Sequence, residues 1–128
     1  MTPEDDVSVV EKWRILADRI ISLTHKGKLN WSESAMDDEF FAPIGKMLIS
    51  LSKARERKPE GYANLIRIQI TDSEGRIIES FDDEDIDPGQ NDQYYEDLSN
   101  LHGLIQRRVS GADKILDELL SIMKREDD

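Results

Sequence analysis

The feature that most constrains this chain is that its apolar residues change period partway along and then change back. Val9, Trp13, Leu16, Ile20 and Leu23 are spaced four, three, four and three apart, which places all five on one side of an α-helix. Further on, Tyr62, Asn64, Ile66, Ile68 and Ile70 share one parity, with Arg67 and Gln69 on the other. That alternation belongs to a strand with one covered face. Tyr94, Leu98, Leu101, Ile105 and Val109 then return to helical spacing. A helix stripe and a sheet face both need cover, and they can supply it to each other. The expected fold class is therefore α+β: an N-terminal amphipathic helix, an antiparallel meander of three to four strands, and two C-terminal helices. At 128 residues the chain matches the commonest size for one domain and is long enough to bury a core without disulfides or a structural metal. It is read as a single domain over residues 1–128.

The boundaries follow from capping and turn chemistry. The first helix has two competing starts, Thr2 followed by Pro3, or Ser8 with Glu11 as a capping box. His25 and Lys26 suit the negative end of its dipole, and Gly27 supplies a left-handed residue that releases the chain. Leu29 and Trp31 alternate as one short strand, and residues 33–39 read as a loop. Phe40 and Phe41 open a second strand, interrupted by Pro43 and Gly45. Lys46 to Lys53 forms a strand with Met47, Ile49 and Leu51 on one parity, and Ala54 to Gly61 reads as a charged turn around Pro59. Asp72-Ser73-Glu74-Gly75 has the residues of a tight hairpin turn, with Arg76 to Phe81 as the returning strand. The run Asp82 to Asp87 leads into Pro88-Gly89 and reads as a loop. Gly111 breaks the second helix, and a shorter one starts near Asp113 with Ile115, Leu116, Leu119, Leu120 and Met123 on its buried side. One ring of Tyr94-Tyr95 is expected on the core face and the other outside, and both Trp13 and Trp31 read as core anchors.

The segment Thr24-His25-Lys26-Gly27-Lys28-Leu29-Asn30-Trp31 resembles a helix-end T-x-x-G-K-x-x-W pattern of small uncharacterised bacterial α+β proteins. Those proteins continue with a strand meander, an Asp-x-x-Gly hairpin and C-terminal helices. The resemblance implies a bacterial or phage origin and the same layout. It implies no activity and no catalytic residue.

Charge excludes more than it identifies. With 17 basic and 28 acidic side chains the net charge is −11, so phosphate backbones and anionic membranes are repelled, and direct nucleic-acid or lipid binding is not expected. Acidity keeps small domains dispersed; more sharply read, it offers a face to a basic protein partner. Cysteine is absent, which removes disulfides, thiolate metal sites and a cysteine nucleophile together. The N-terminus lacks the apolar core of a signal peptide, and a cytoplasmic location is expected.

Catalytic patterns were tested against the residues that must carry them. Asp83, Asp85 and Asp87 alternate like the first ligands of an EF-hand, but Pro88 and Tyr94 stand where that loop needs Gly and a bidentate Glu. His25 and His102 sit in different elements, the first at a helix end and the second at a helix surface or boundary, neither with a second ligand at helical spacing. No Gly-x-Ser-x-Gly elbow, phosphate loop or dinucleotide fingerprint occurs. The sequence thus points to a non-catalytic interaction module of the immunity, antitoxin or inhibitor kind, with no cofactor and no metal. The alternative is a small enzyme or ligand-binding domain whose acidic site has no recognisable spacing. The candidate partner-binding residues are Asp82, Asp83, Glu84, Asp85, Asp87 and Tyr95. A second patch comprises Lys53, Arg55, Arg57 and Lys58, placed in a turn, and a homodimer through exposed strand edges is a further expectation.

Overall fold

In the computed structural model, which describes residues 8–89 and 91–127, a helix precedes an antiparallel sheet and further helices follow it. The order is α1 (Val9–His25), β1 (Ser32–Glu33), β2 (Glu39–Ile44), β3 (Met47–Lys58), β4 (Gly61–Thr71), β5 (Ile77–Asp82), α2 (Asp83–Ile86), α3 (Gln93–Ser110) and α4 (Ala112–Asp127). All five strands pair in chain order, β1-β2-β3-β4-β5. The sheet has five strands, one more than the most that the sequence led us to expect.

Register explains why one face is a core. Phe40, Leu51, Ile68 and Phe81 lie opposite one another across β2 to β5, and all four are buried. The next rung, Phe41, Ser50, Gln69 and Ser80, points the other way because strand side chains alternate, and it is mostly polar. Ala17 and Ile20 of α1, Ile86 of α2, and Leu98, Leu101 and Ile105 of α3 close over the apolar side. Trp13 stacks on Phe81 with ring centroids 5.1 Å apart and planes 11° apart.

The start of α1 is at Ser8, whose hydroxyl accepts from the Glu11 amide at 3.1 Å, while the Glu11 carboxylate turns to Arg14. The competing Thr2–Pro3 start lies outside the described residues. The buried line of this helix runs through Ala17, Ile20 and Thr24, and Val9 is exposed. Gly27, at φ +70°, is the left-handed residue after the helix. Thr24 is fully buried: its hydroxyl donates to the Ile20 carbonyl at 2.7 Å and accepts from Trp31 Nε1 at 3.0 Å. The two ends of the T-x-x-G-K-x-x-W pattern therefore bond to each other around the glycine. The pattern stops a helix and folds the chain back.

Several expectations need correction. Leu29 and Trp31 pack on the core but precede the strand, because pairing with β2 begins only at Ser32 opposite Phe41. β2 continues through Pro43, which is tolerated because β1 pairs only with Phe40 and Phe41 and leaves that side of the strand open at Pro43. Lys53 to Lys58 is not a turn but the far half of β3, paired from Lys53 opposite Ile66 to Lys58 opposite Gly61. Only Pro59 and Glu60 turn. Asp82 to Asp87 is not an open loop: Asp82 and Asp85 each accept the other's amide, at 3.1 and 3.0 Å, and this capping box starts the one-turn helix α2. Tyr94 and Tyr95 are both half-buried and packed on the core, rather than one in and one out. His102 is no surface residue, being fully buried. The largest departure is α4, which buries no residue at all. Gly111 closes α3 at φ +74°, and the sheet is already covered by α1 and α3.

Candidate functional site: the clefts beside Tyr95

The two patches predicted separately meet at one side chain. Tyr95, in the first turn of α3, lines a cleft of about 320 Å³ with Ala63 and Asn64 of β4, Asp83 and Glu84 of α2, and Asp92. It also lines a neighbouring cleft of about 410 Å³ with Asp38, Lys53, Ala54, Arg55, Asn64, Leu65 and Ile66. Strand β4 contributes to both through Asn64, and β3 lines only the larger one, through Lys53 to Arg55. Lys58, near the tip of the β3–β4 hairpin, reaches Glu84 of α2 at 3.2 Å and Glu56 at 3.6 Å, and the Glu84 hydrogen bond, with both carboxylate charges, holds its ammonium above the usual lysine range.

Within the acidic run the carboxylates have different occupations. Asp83 is buried, and its Oδ1 accepts the Ile66 amide at 2.7 Å. It continues the edge of β4 where β5 stops, since the last ladder pair is Arg67 with Asp82. Burial raises its pKa, against the pull of that hydrogen bond. Asp82 is also raised by burial, opposed by the Asp85 amide. Asp87 accepts the Gly89 and Asp92 amides at 3.1 and 3.3 Å and so ties the approach to α3. Asp82, Asp83, Asp85 and Asp87 thus serve the fold, and Glu84 is the exposed acid of the run that faces the Tyr95 cleft.

The basic residues divide similarly. Lys53 and Arg55 face the larger cleft, Arg55 lies over the Tyr62 ring at 4.6 Å, Lys58 clasps Glu84, and Arg57 is exposed on β3 outside both clefts. Sequence reading missed Asn64, Asp38 and Asp92. Asn64 was hidden in the strand parity, and the other two are loop acids distinguished only by left-handed backbones, both at φ +59°. The Asp38 carbonyl receives the Lys53 amide at 3.2 Å and lies 2.8 Å from His102 Nε2. A carbonyl only accepts, so Nε2 carries the proton. His102 Nδ1 is buried without a partner, the ring packs edge-on to Phe40, and burial lowers the histidine's pKa. It lines neither cleft.

Among the described residues no group of three or more His, Asp or Glu is placed to hold a metal ion, and no helix is long and apolar enough to cross a membrane. What the smaller cleft offers is an aromatic ring with the carboxylates of Glu84 and Asp92 beside it. No protein-family model matches this sequence, and no curated protein or solved structure is significantly similar to it.

Proposed function

We propose that this chain is a non-catalytic protein-interaction module of the immunity, antitoxin or inhibitor kind, which seats a basic protein partner against its acidic surface. The observation that carries this reading is the cleft in which Tyr95, Glu84 and Asp92 line one space of about 320 Å³. A ring flanked by acids complements a Lys or Arg side chain, because the cation stacks on the aromatic face while the carboxylates accept its N–H bonds. A half-buried Tyr inside a polar rim is also the residue type that most often concentrates interface energy. The incoming cation would compete with Lys58 for Glu84. The net charge of −11 would speed the approach of such a partner and discourage nucleic acids.

The test is recovery of a partner from the source cell on the tagged full chain, followed by titration against variants. Tyr95→Ala and Asp92→Lys are each expected to weaken the complex roughly 30-fold or more, as an interface centre does, when titrated at a temperature where circular dichroism shows each variant still folded. Recovery of no basic protein, or of one indifferent to both substitutions, sinks the reading.

A further inference from the structure

We propose that the larger cleft beside Tyr95 binds a small organic ligand through an oxyanion, a phosphate or a carboxylate, gripped by Lys53 and Arg55. The β3–β4 register sorts the charges of the hairpin. Lys53 and Arg55 share the parity of Ile49 and Leu51 and lie opposite Ile66 and Asn64, so both cations stand on the face of the sheet that the helices cover. Glu56 and Lys58 have the other parity and are joined to each other. Cover ends along this strand: Leu51 is buried, Lys53 and Arg55 are exposed, and Tyr95 of the first turn of α3 lines the space beside them.

The polar groups around that space are mostly donors. Lys53 and Arg55 carry only N–H groups, and the Asn64 amide and Tyr95 hydroxyl can add theirs. Among the described residues none of these four side chains has a hydrogen bond or an ion pair. Arg55 does lie over the Tyr62 ring at 4.6 Å. A guanidinium resting on a ring uses its face, and the N–H groups along its edge stay free, in a fixed plane, for a forked bond to an oxyanion. Such pre-orientation lowers the entropy cost of binding.

Asp38 is the single acid in the lining, and its carbonyl is already engaged by the Lys53 amide and His102 Nε2. The cleft therefore holds two positive charges against one negative, in a chain whose net charge is −11. Ala54 and the Tyr95 ring add apolar surface, and the volume of about 410 Å³ falls within the roughly 300–1,000 Å³ of sites for small organic molecules. Lys53 and Arg55 line only this cleft and not the acid-lined one, so substituting them tests the site apart from the proposed function.

Calorimetric titration of the full chain with phenyl phosphate and with benzoate reads the proposal directly. At least one of the two is expected to bind with a dissociation constant on the order of 0.1–1 mM, and the tighter one names the oxyanion. Arg55→Gln should weaken binding about tenfold, and Arg55→Lys only about threefold, because the charge stays and the fork is lost. Lys53→Gln should cost about fivefold. Arg57→Gln, outside the cleft, should change nothing. All three positions are exposed, and circular dichroism checks that each variant is folded. Neither compound binding at concentrations up to about 10 mM, or benzamide binding as tightly as benzoate, overturns the proposal. Equal losses from Arg57→Gln and Arg55→Gln overturn it as well, since they would show diffuse charge instead of a site.

Discussion

Helices α3 and α4 are written in nearly the same way and end up in opposite surroundings. α3 has 18 residues and α4 has 16, they follow each other across Gly111, and both carry a continuous apolar stripe. α3 buries Leu98, Leu101, His102 and Ile105 against the sheet, whereas α4 buries nothing. The difference lies in what was left to cover. Once α1 and α3 have closed over Phe40, Leu51, Ile68 and Phe81, a further stripe has no place in the same chain. Amphipathic spacing therefore states that a face needs cover, and says nothing about which molecule supplies it.

The sharpest way to break this comparison is the same substitution in both helices. Leu101→Asp puts a charge where the side chain is 1% exposed and should destabilise by roughly 4 kcal/mol or more, enough to unfold most of the protein. Leu119→Asp, by contrast, should leave the urea midpoint unchanged. Equal losses at the two sites would mean that α4 belongs to the core after all.

Next in size is the buried joint at Asp83. Asp83→Ala leaves the Ile66 amide without its acceptor and should lower stability by about 1–3 kcal/mol in urea titrations. Asp83→Asn keeps an acceptor oxygen and removes the buried charge, so it should lie close to the parent or above it. No comparable pair of substitutions exists in α4, which has no buried polar atom to orphan.

The smallest effect is a pH dependence that α3 should impose and α4 should not. Burial lowers the pKa of His102 from its ordinary 6.5, so below that pH the unfolded chain binds the proton more readily than the folded one. Stability from this residue is complete above about pH 6.5 and declines as the pH falls, by at most about 1.4 kcal/mol per unit. A His102→Gln variant should lose that part of the slope between pH 7 and 5.5. An unchanged slope would remove His102 as its source.

How much of this was legible depended on whether the signal was local. The stripes of α1 and α3 and the parity of Tyr62 to Ile70 are written in consecutive residues, so they could be read, and so could Gly27 as the point of exit. The strand Lys53 to Lys58 could not. Its side chains look like a solvated turn, and it is extended only because Gly61 to Ile66 lie opposite. The run Asp82 to Asp87 looked uniform, yet one carboxylate is buried on Ile66, two cap each other, and one faces the cleft. Distant partners assign those roles. The Tyr95 site was half visible for the same reason: Glu84 and Lys58 were both candidates, but their contact joins residues 26 apart.

The strictly sequential strand order has a consequence for how the protein comes into being. Each strand pairs with the one synthesised just before it, so the sheet can zip up hairpin by hairpin with short loop closures and little waiting for remote segments. α1 is the exception. Its Trp13 must remain without its stacking partner until Phe81 has been made, and its stripe is still partly open until α3 follows. When α4 emerges, the body it leaves behind is already complete, and its apolar face first meets other molecules beside a finished fold.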